Sequence, residues 1–161
     1  MNNLSKLILS MMLAISFLFG SQTMANERYG KQKVVYHINF DDPKAQKGAL
    51  TNIQNHIDAV GAENIDLKVV LHGNGLSLLV LPASLEKLKK FKQANADDQM
   101  MATIDGLKNQ GVAFNVCANT VTGRDVNVDE DLHDVEEADI VPSGVAELAH
   151  LQSQGYVYIR P

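Results

Sequence analysis

The sequence predicts an α/β fold, a three-layer sandwich on a mostly parallel sheet of four to five strands with helices on both faces. Three observations carry this expectation. β-Branched, apolar runs (KVVYHINF at 33–40, IDLKVVLHG at 65–73, VAFNVC at 112–117) alternate with stretches whose apolar residues recur at helical spacing. The second run is more continuously apolar than alternating, as suits a strand covered on both faces. Parallel neighbours need crossovers, and right-handed crossovers lay helices over the sheet.

The first strand runs into Asp41-Asp42-Pro43, where Asp42 can cap a helix and Pro43 suits its first position. Leu50, Ile53, Ile57 and Val60 follow at helical spacing, and Gly61 is placed to end that helix. After the second strand, Leu76 to Leu81 fit either a strand or the opening turns of a helix. The reading taken is a helix, with Ser84 capping Leu85, Leu88 and Phe91 and with Lys87, Lys89, Lys90 and Lys92 on a solvated face. Asp97-Asp98 open a further amphipathic helix through Met101, Ile104 and Leu107, stopped at Gly111. Residues 125–139 carry eight acidic side chains and His133 without the glycine-punctuated pattern of a calcium loop, and so read as a solvated loop and short helix. Ile140-Val141 form a short strand, Ser143 caps a helix that Gly155 closes, and YVYI (156–159) is the final strand.

Residues 1–25 read as a signal peptide. Lys6 is followed by an apolar stretch at 7–20, and Thr23-Met24-Ala25 approximates a small-x-small cleavage pattern. The stretch is shorter than the roughly 20 residues a spanning helix needs. Cleavage after Ala25 would leave 26–161 as a single domain in the periplasm or secreted, with no membrane association. Losing Lys6 from the 14 basic residues leaves 13 against 19 acidic, a balance that disfavours nucleic acid as a partner. One cysteine excludes an internal disulfide and a thiolate-rich zinc site.

Ligands of open parallel sheets collect beyond the carboxyl ends of the strands. Three polar clusters fall there: His37-Ile38-Asn39, His72-Gly73-Asn74-Gly75 and Cys117-Ala118-Asn119-Thr120. Side chains two apart share a face, so His37 with Asn39, His72 with Asn74, and Asn115 and Cys117 with Asn119 would converge if strand geometry continued. Each histidine also has an ordinary reading as a strand-end cap or a satisfied partly buried group. Cys117 reads either as a small buried hydrophobe or, given the turn residues after it and Arg124, as a thiol of lowered pKa emerging into solvent. His37, His72 and Cys117 could bind copper or zinc in principle, but their spacing is not diagnostic and no metal is expected. A hydrolase elbow and a glycine-rich phosphate loop are both missing, and no cofactor is expected.

The succession KVVYHINFDDP, NIQNHIDAVGAENIDLKVVLHGNGLSLL, GVAFNVCANTVTGRDV and DIVPSGVAELAHLQSQGYVYIRP resembles the DsrE/DsrF-like family, in its branch of small exported proteins. The most specific portions surround Cys117 and Pro142-Ser143-Gly144. The resemblance implies a compact parallel α/β domain, assembly into homo-oligomers, and a sulfur-relay role in which Cys117 carries sulfane sulfur as a persulfide. A sulfur donor or acceptor protein, or a small sulfur compound, would be its partner. The expected mechanism is a Cys117 thiolate that accepts sulfur and passes it on, stabilised by Arg124 and strand-end amides, with His37, Asn39, His72, Asn74 and Asn119 as candidate ligand-binding residues. The alternative is a non-catalytic binding or assembly module in which the cysteine only packs.

Overall fold

Strand β1 (Gln32–Ile38) buries five consecutive residues from Val34 onward, so it has to lie between covered faces. In the computed structural model, which describes residues 28–161, it lies inside a five-stranded, all-parallel sheet with β2 (Ile65–Leu71), β3 (Ala113–Cys117), β4 (Ile140–Val141) and β5 (Val157–Ile159), in the order β4-β3-β2-β1-β5. The expected signal peptide and its cleavage site lie outside the described residues. No helix among the described residues is long and apolar enough to cross a membrane.

Helix α1 (Pro43–Val60) forms where the local signals place it. The Asp42 carboxylate accepts from the Ala45 N–H at 2.7 Å, Pro43 takes the first turn, and Leu50, Ile53, Ile57 and Val60 are buried. Helix α2 (Asp98–Lys108) is capped by Asp97 and buries Met100, Ile104 and Leu107, so Met100 rather than Met101 faces inward. These helices cover one face, packing on Val34, Tyr36, Ile38, Leu67, Val69, Leu71, Phe114 and Val116. Two short helices follow β3, α3 (Ala118–Gly123) and α4 (Val128–Asp131). Helix α5 (Gly144–Ser153), capped by Ser143, covers the opposite face through Leu148 and Leu151 on Val35 and Val70. The three-layer expectation holds.

The helix expected after Leu76 does not form. Residues Gly73–Leu78 and Pro82–Ser84 make 3-10 turns instead. Leu76, Leu78, Leu79 and Val80 are all buried, which leaves no solvent face for an amphipathic helix. The carbonyls of Ser77, Leu79 and Val80 accept from the amides of Asn95, His133 and Ala96, so they are engaged outside any local helix. The lysines are not simply solvated either: Lys87 lies 2.7 Å from the buried Asp131 carboxylate, and Lys90 lies 2.8 Å from Asp125.

A buried polar cluster fixes this segment to α1. Gln46, 0% exposed, donates to the Phe40 carbonyl at 2.7 Å and the Ser77 hydroxyl at 3.0 Å, and its own oxygen accepts from Asn95 at 2.7 Å. Gln46→Leu takes the donor from the Phe40 carbonyl and one bond each from Ser77 and Asn95, which keep a 3.4 Å contact with each other, and an orphaned buried group costs about 1–3 kcal/mol. Urea unfolding should show a loss of about 3 kcal/mol; a loss under about 1 kcal/mol would mean the cluster is not what pins the loop.

Candidate functional site

The register brings three of the expected residues together. His37 pairs with Val70 and Val70 with Asn115, so His37, His72 and Cys117 all project to the α5 face. Leu71 pairs with Val116, which makes His72 and Cys117 the next neighbours across the carboxyl edge. Gly144, the first residue of α5, seats itself between them. A Cβ there would lie 3.0 Å from the His72 Cβ and 3.2 Å from the Cys117 Cβ. Only a residue without a side chain lets the helix start this close.

Cys117 does not emerge into solvent as expected; it is 4% exposed. Its surroundings are nonetheless polar. Burial pushes the thiol up, but the Gly144 N–H, the Thr120 hydroxyl and N–H, and the Asn119 N–H outweigh it and hold the thiol below its ordinary pKa. The Gly73 N–H donates to the Thr120 oxygen at 2.9 Å, which leaves the hydroxyl proton free to point at sulfur.

A hydrogen-bonded chain runs away from this pocket. The Nε2 atoms of His37 and His72 are 2.7 Å apart, with ring centroids 4.8 Å apart and planes 21° from parallel, so the rings meet edge to edge. The other nitrogen of His37, Nδ1, meets the Tyr158 hydroxyl at 2.6 Å. Burial, then the charges of His72 and Arg160, lower the pKa of His37 to about 4, and burial lowers that of His72. Both rings are neutral near pH 7, and one shared proton satisfies the contact between them.

The asparagines part from their expected partners because each strand ends too early. β1 stops at Ile38, β2 at Leu71 and β3 at Cys117, so period-two geometry does not reach Asn39, Asn74 or Asn119. Asn39 accepts from Arg160 at 3.3 Å. Asn74 accepts from Arg124 at 2.6 Å, and Arg124 also donates to the Lys90 carbonyl and stacks 4.5 Å over Phe91, a residue of the α1-side core. Arg124 is therefore committed elsewhere, and the groups that favour the Cys117 anion are amides and one hydroxyl. Asn119 contributes its backbone N–H, while the residue itself is exposed. Among the described residues, no three histidine, cysteine, aspartate or glutamate side chains are placed to hold a metal ion.

Sequence reasoning missed Tyr158 and the role of Gly144, and it placed Thr120 in the Cys117 cluster without a role for its hydroxyl. Gly144 had a signal, since it belongs to the distinctive Pro142-Ser143-Gly144 stretch. Tyr158 had none, because its place depends on β5 lying beside β1.

The DsrE/DsrF-like family matches residues 33–161. A solved structure of a protein of unknown function from Methanobacterium thermoautotrophicum is similar at 27% identity and a TM-score of 0.64, covering 81% of this chain and all of that one. No curated protein matches.

Proposed function

Because the chain belongs to the DsrE/DsrF-like family, which is associated with sulfur relay in general, we propose that it is an exported sulfur carrier working through Cys117. The observation that carries this reading is the place of the lone thiol, at the carboxyl end of β3 against the start of α5, where neighbouring N–H and hydroxyl groups outweigh burial and lower its pKa. The Cys117 thiolate attacks the sulfane sulfur of a donor such as thiosulfate. The S–S bond breaks, sulfite leaves with the electron pair, and Cys117 holds a persulfide anion. Attack by an acceptor thiolate on the outer sulfur returns Cys117 as thiolate. The N–H groups that favour the thiolate serve equally for both resting forms, so the protein acts as a carrier more than a turnover enzyme.

In this reading the protein works in the periplasm or outside the cell as a homo-oligomer, exchanging sulfur with a partner protein or a small sulfur compound. The low exposure of Cys117 supports a second reading, a binding or assembly module in which the thiol only packs. Intact mass after incubation with thiosulfate or polysulfide separates them. Wild type is expected to gain one reducible sulfur atom and Cys117→Ser none; no gain in wild type, or an equal gain in the variant, rejects the carrier.

A further inference from the structure

Sulfur transfer at Cys117 does not by itself use the contact between the two histidines, the bond from His37 to Tyr158, or the exposure of Tyr158. Resting on the carrier reading, we propose that His72 protonates the thiolate that leaves when Cys117 takes sulfur, and that His37 and Tyr158 resupply its proton from solvent.

The geometry is that of a wire from a closed site to water. Cys117 and His37 are 4% and 8% exposed, whereas Tyr158 is 39% exposed. From Tyr158 to His72 run two short hydrogen bonds, 2.6 and 2.7 Å, through both nitrogens of His37. Every member can donate on one side while accepting on the other, which is what transfer along a chain requires. His72 has Nε2 turned to His37, and its Nδ1 has no hydrogen-bond partner among the described residues. His72 and Cys117 flank the same residue, Gly144, whose added Cβ would lie 3.0 Å from the Cβ of one and 3.2 Å from the Cβ of the other, so the ring stands beside the thiol's pocket. Arg124, the cation expected to steady charge there, is tied to Asn74 and Lys90.

The need for a proton depends on the leaving group. Sulfite leaves as an anion. An alkyl persulfide anion, R–S–S⁻, is different: when Cys117 takes its outer sulfur, the electron pair goes to an alkyl thiolate, a basic group that leaves poorly unless protonated. His72 gives it the Nδ1 proton and takes one at Nε2 from His37. His37 takes one at Nδ1 from the Tyr158 hydroxyl, and Tyr158 takes one from water. The products are the thiol R–S–H, the Cys117 persulfide anion and hydroxide, and both rings end neutral in the opposite tautomer. The arrangement thus suits alkyl persulfide donors as well as thiosulfate.

Disulfide exchange at Cys117 tests this, because the same thiolate can expel leaving groups of different basicity. The full chain is reacted with an aromatic disulfide, dithiobisnitrobenzoate, and with an alkyl one, hydroxyethyl disulfide. General-acid assistance is commonly worth about 10²-fold or more, so His72→Asn should slow the alkyl reaction on that order and Tyr158→Phe about tenfold. The aromatic reaction should stay within about twofold in both variants, which also verifies that the site is intact. Equal losses with both disulfides, or no loss with either, overturn the proton chain while leaving the carrier standing. A wild-type thiol that reacts with neither removes the carrier and the chain together.

Discussion

Gly75→Ala is expected to be the most destabilising single methyl addition in this protein. A Cβ on Gly75 would lie 1.9 Å from the Ile38 carbonyl oxygen, 2.5 Å from its carbon and 2.9 Å from the Asn39 Cα. All three are backbone atoms, so no side-chain rotation relieves the overlap. Ile38 is fully buried at the end of β1 and held in register with Leu71, so the strand cannot retreat without breaking its pairing. Extra methylenes in packed cores cost about 1–3 kcal/mol where side chains can adjust. Here the cost should exceed about 3 kcal/mol, a large share of the 5–15 kcal/mol that small domains possess. Urea unfolding measures it, with Gly106→Ala as the control. Gly106 lies in α2 with nothing within 4 Å of an added Cβ, and alanine there should raise stability by about 0.5–1 kcal/mol. If Gly75→Ala unfolds within about 0.5 kcal/mol of wild type, the close approach of this loop to β1 is wrong, and with it the placement of His72 just before it.

That approach also explains which parts of the molecule are legible in the sequence. Asp42-Pro43 and Ser143 mark their helices because capping is decided within one turn of chain. The leucine-rich stretch after Gly75 misleads because periodicity reports a face, and a segment buried all round has none. The same division runs through the site. His37, His72 and Cys117 can be placed on one face because strand alternation and parallel register are both regular. The extension to Asn39, Asn74 and Asn119 fails because each strand gives way at or before the residue between, and a turn then redirects the next side chain. Tyr158 is out of reach for another reason. β5 follows β4 in sequence yet pairs with β1, across the sheet from β4, a jump that no local pattern announces.

Gly144→Ala should damage the chemistry of Cys117 far more than the stability of the fold. The added methyl meets the His72 Cβ at 3.0 Å, the Cys117 Cβ at 3.2 Å and the His72 Cδ2 at 3.4 Å, contacts that neighbours can relieve by moving a few tenths of an ångström. That movement is what the site cannot absorb. The Gly144 N–H is the foremost of the groups that oppose burial and lower the thiol pKa, and it is withdrawn as α5 backs away. Hydrogen bonds to charged groups are worth about 1.5–3 kcal/mol, and each 1.4 kcal/mol is a factor of ten. Labelling of Cys117 by a small alkylating reagent should therefore slow about tenfold near neutral pH. The pH profile gives the sign. A thiol held below its ordinary pKa keeps its full labelling rate down to a lower pH than an unperturbed cysteine, and loses it only as the pH falls through that lowered value. In the variant the falling limb moves to higher pH, and at high pH, where both thiols are ionised, the two rates converge. Stability should change by no more than about 1 kcal/mol, because the helix keeps its Ser143 cap and its Leu148 and Leu151 contacts. A variant that labels like wild type across the whole range would show that the start of α5 has no hold on the sulfur, and the anion site proposed around Cys117 would lose its principal donor.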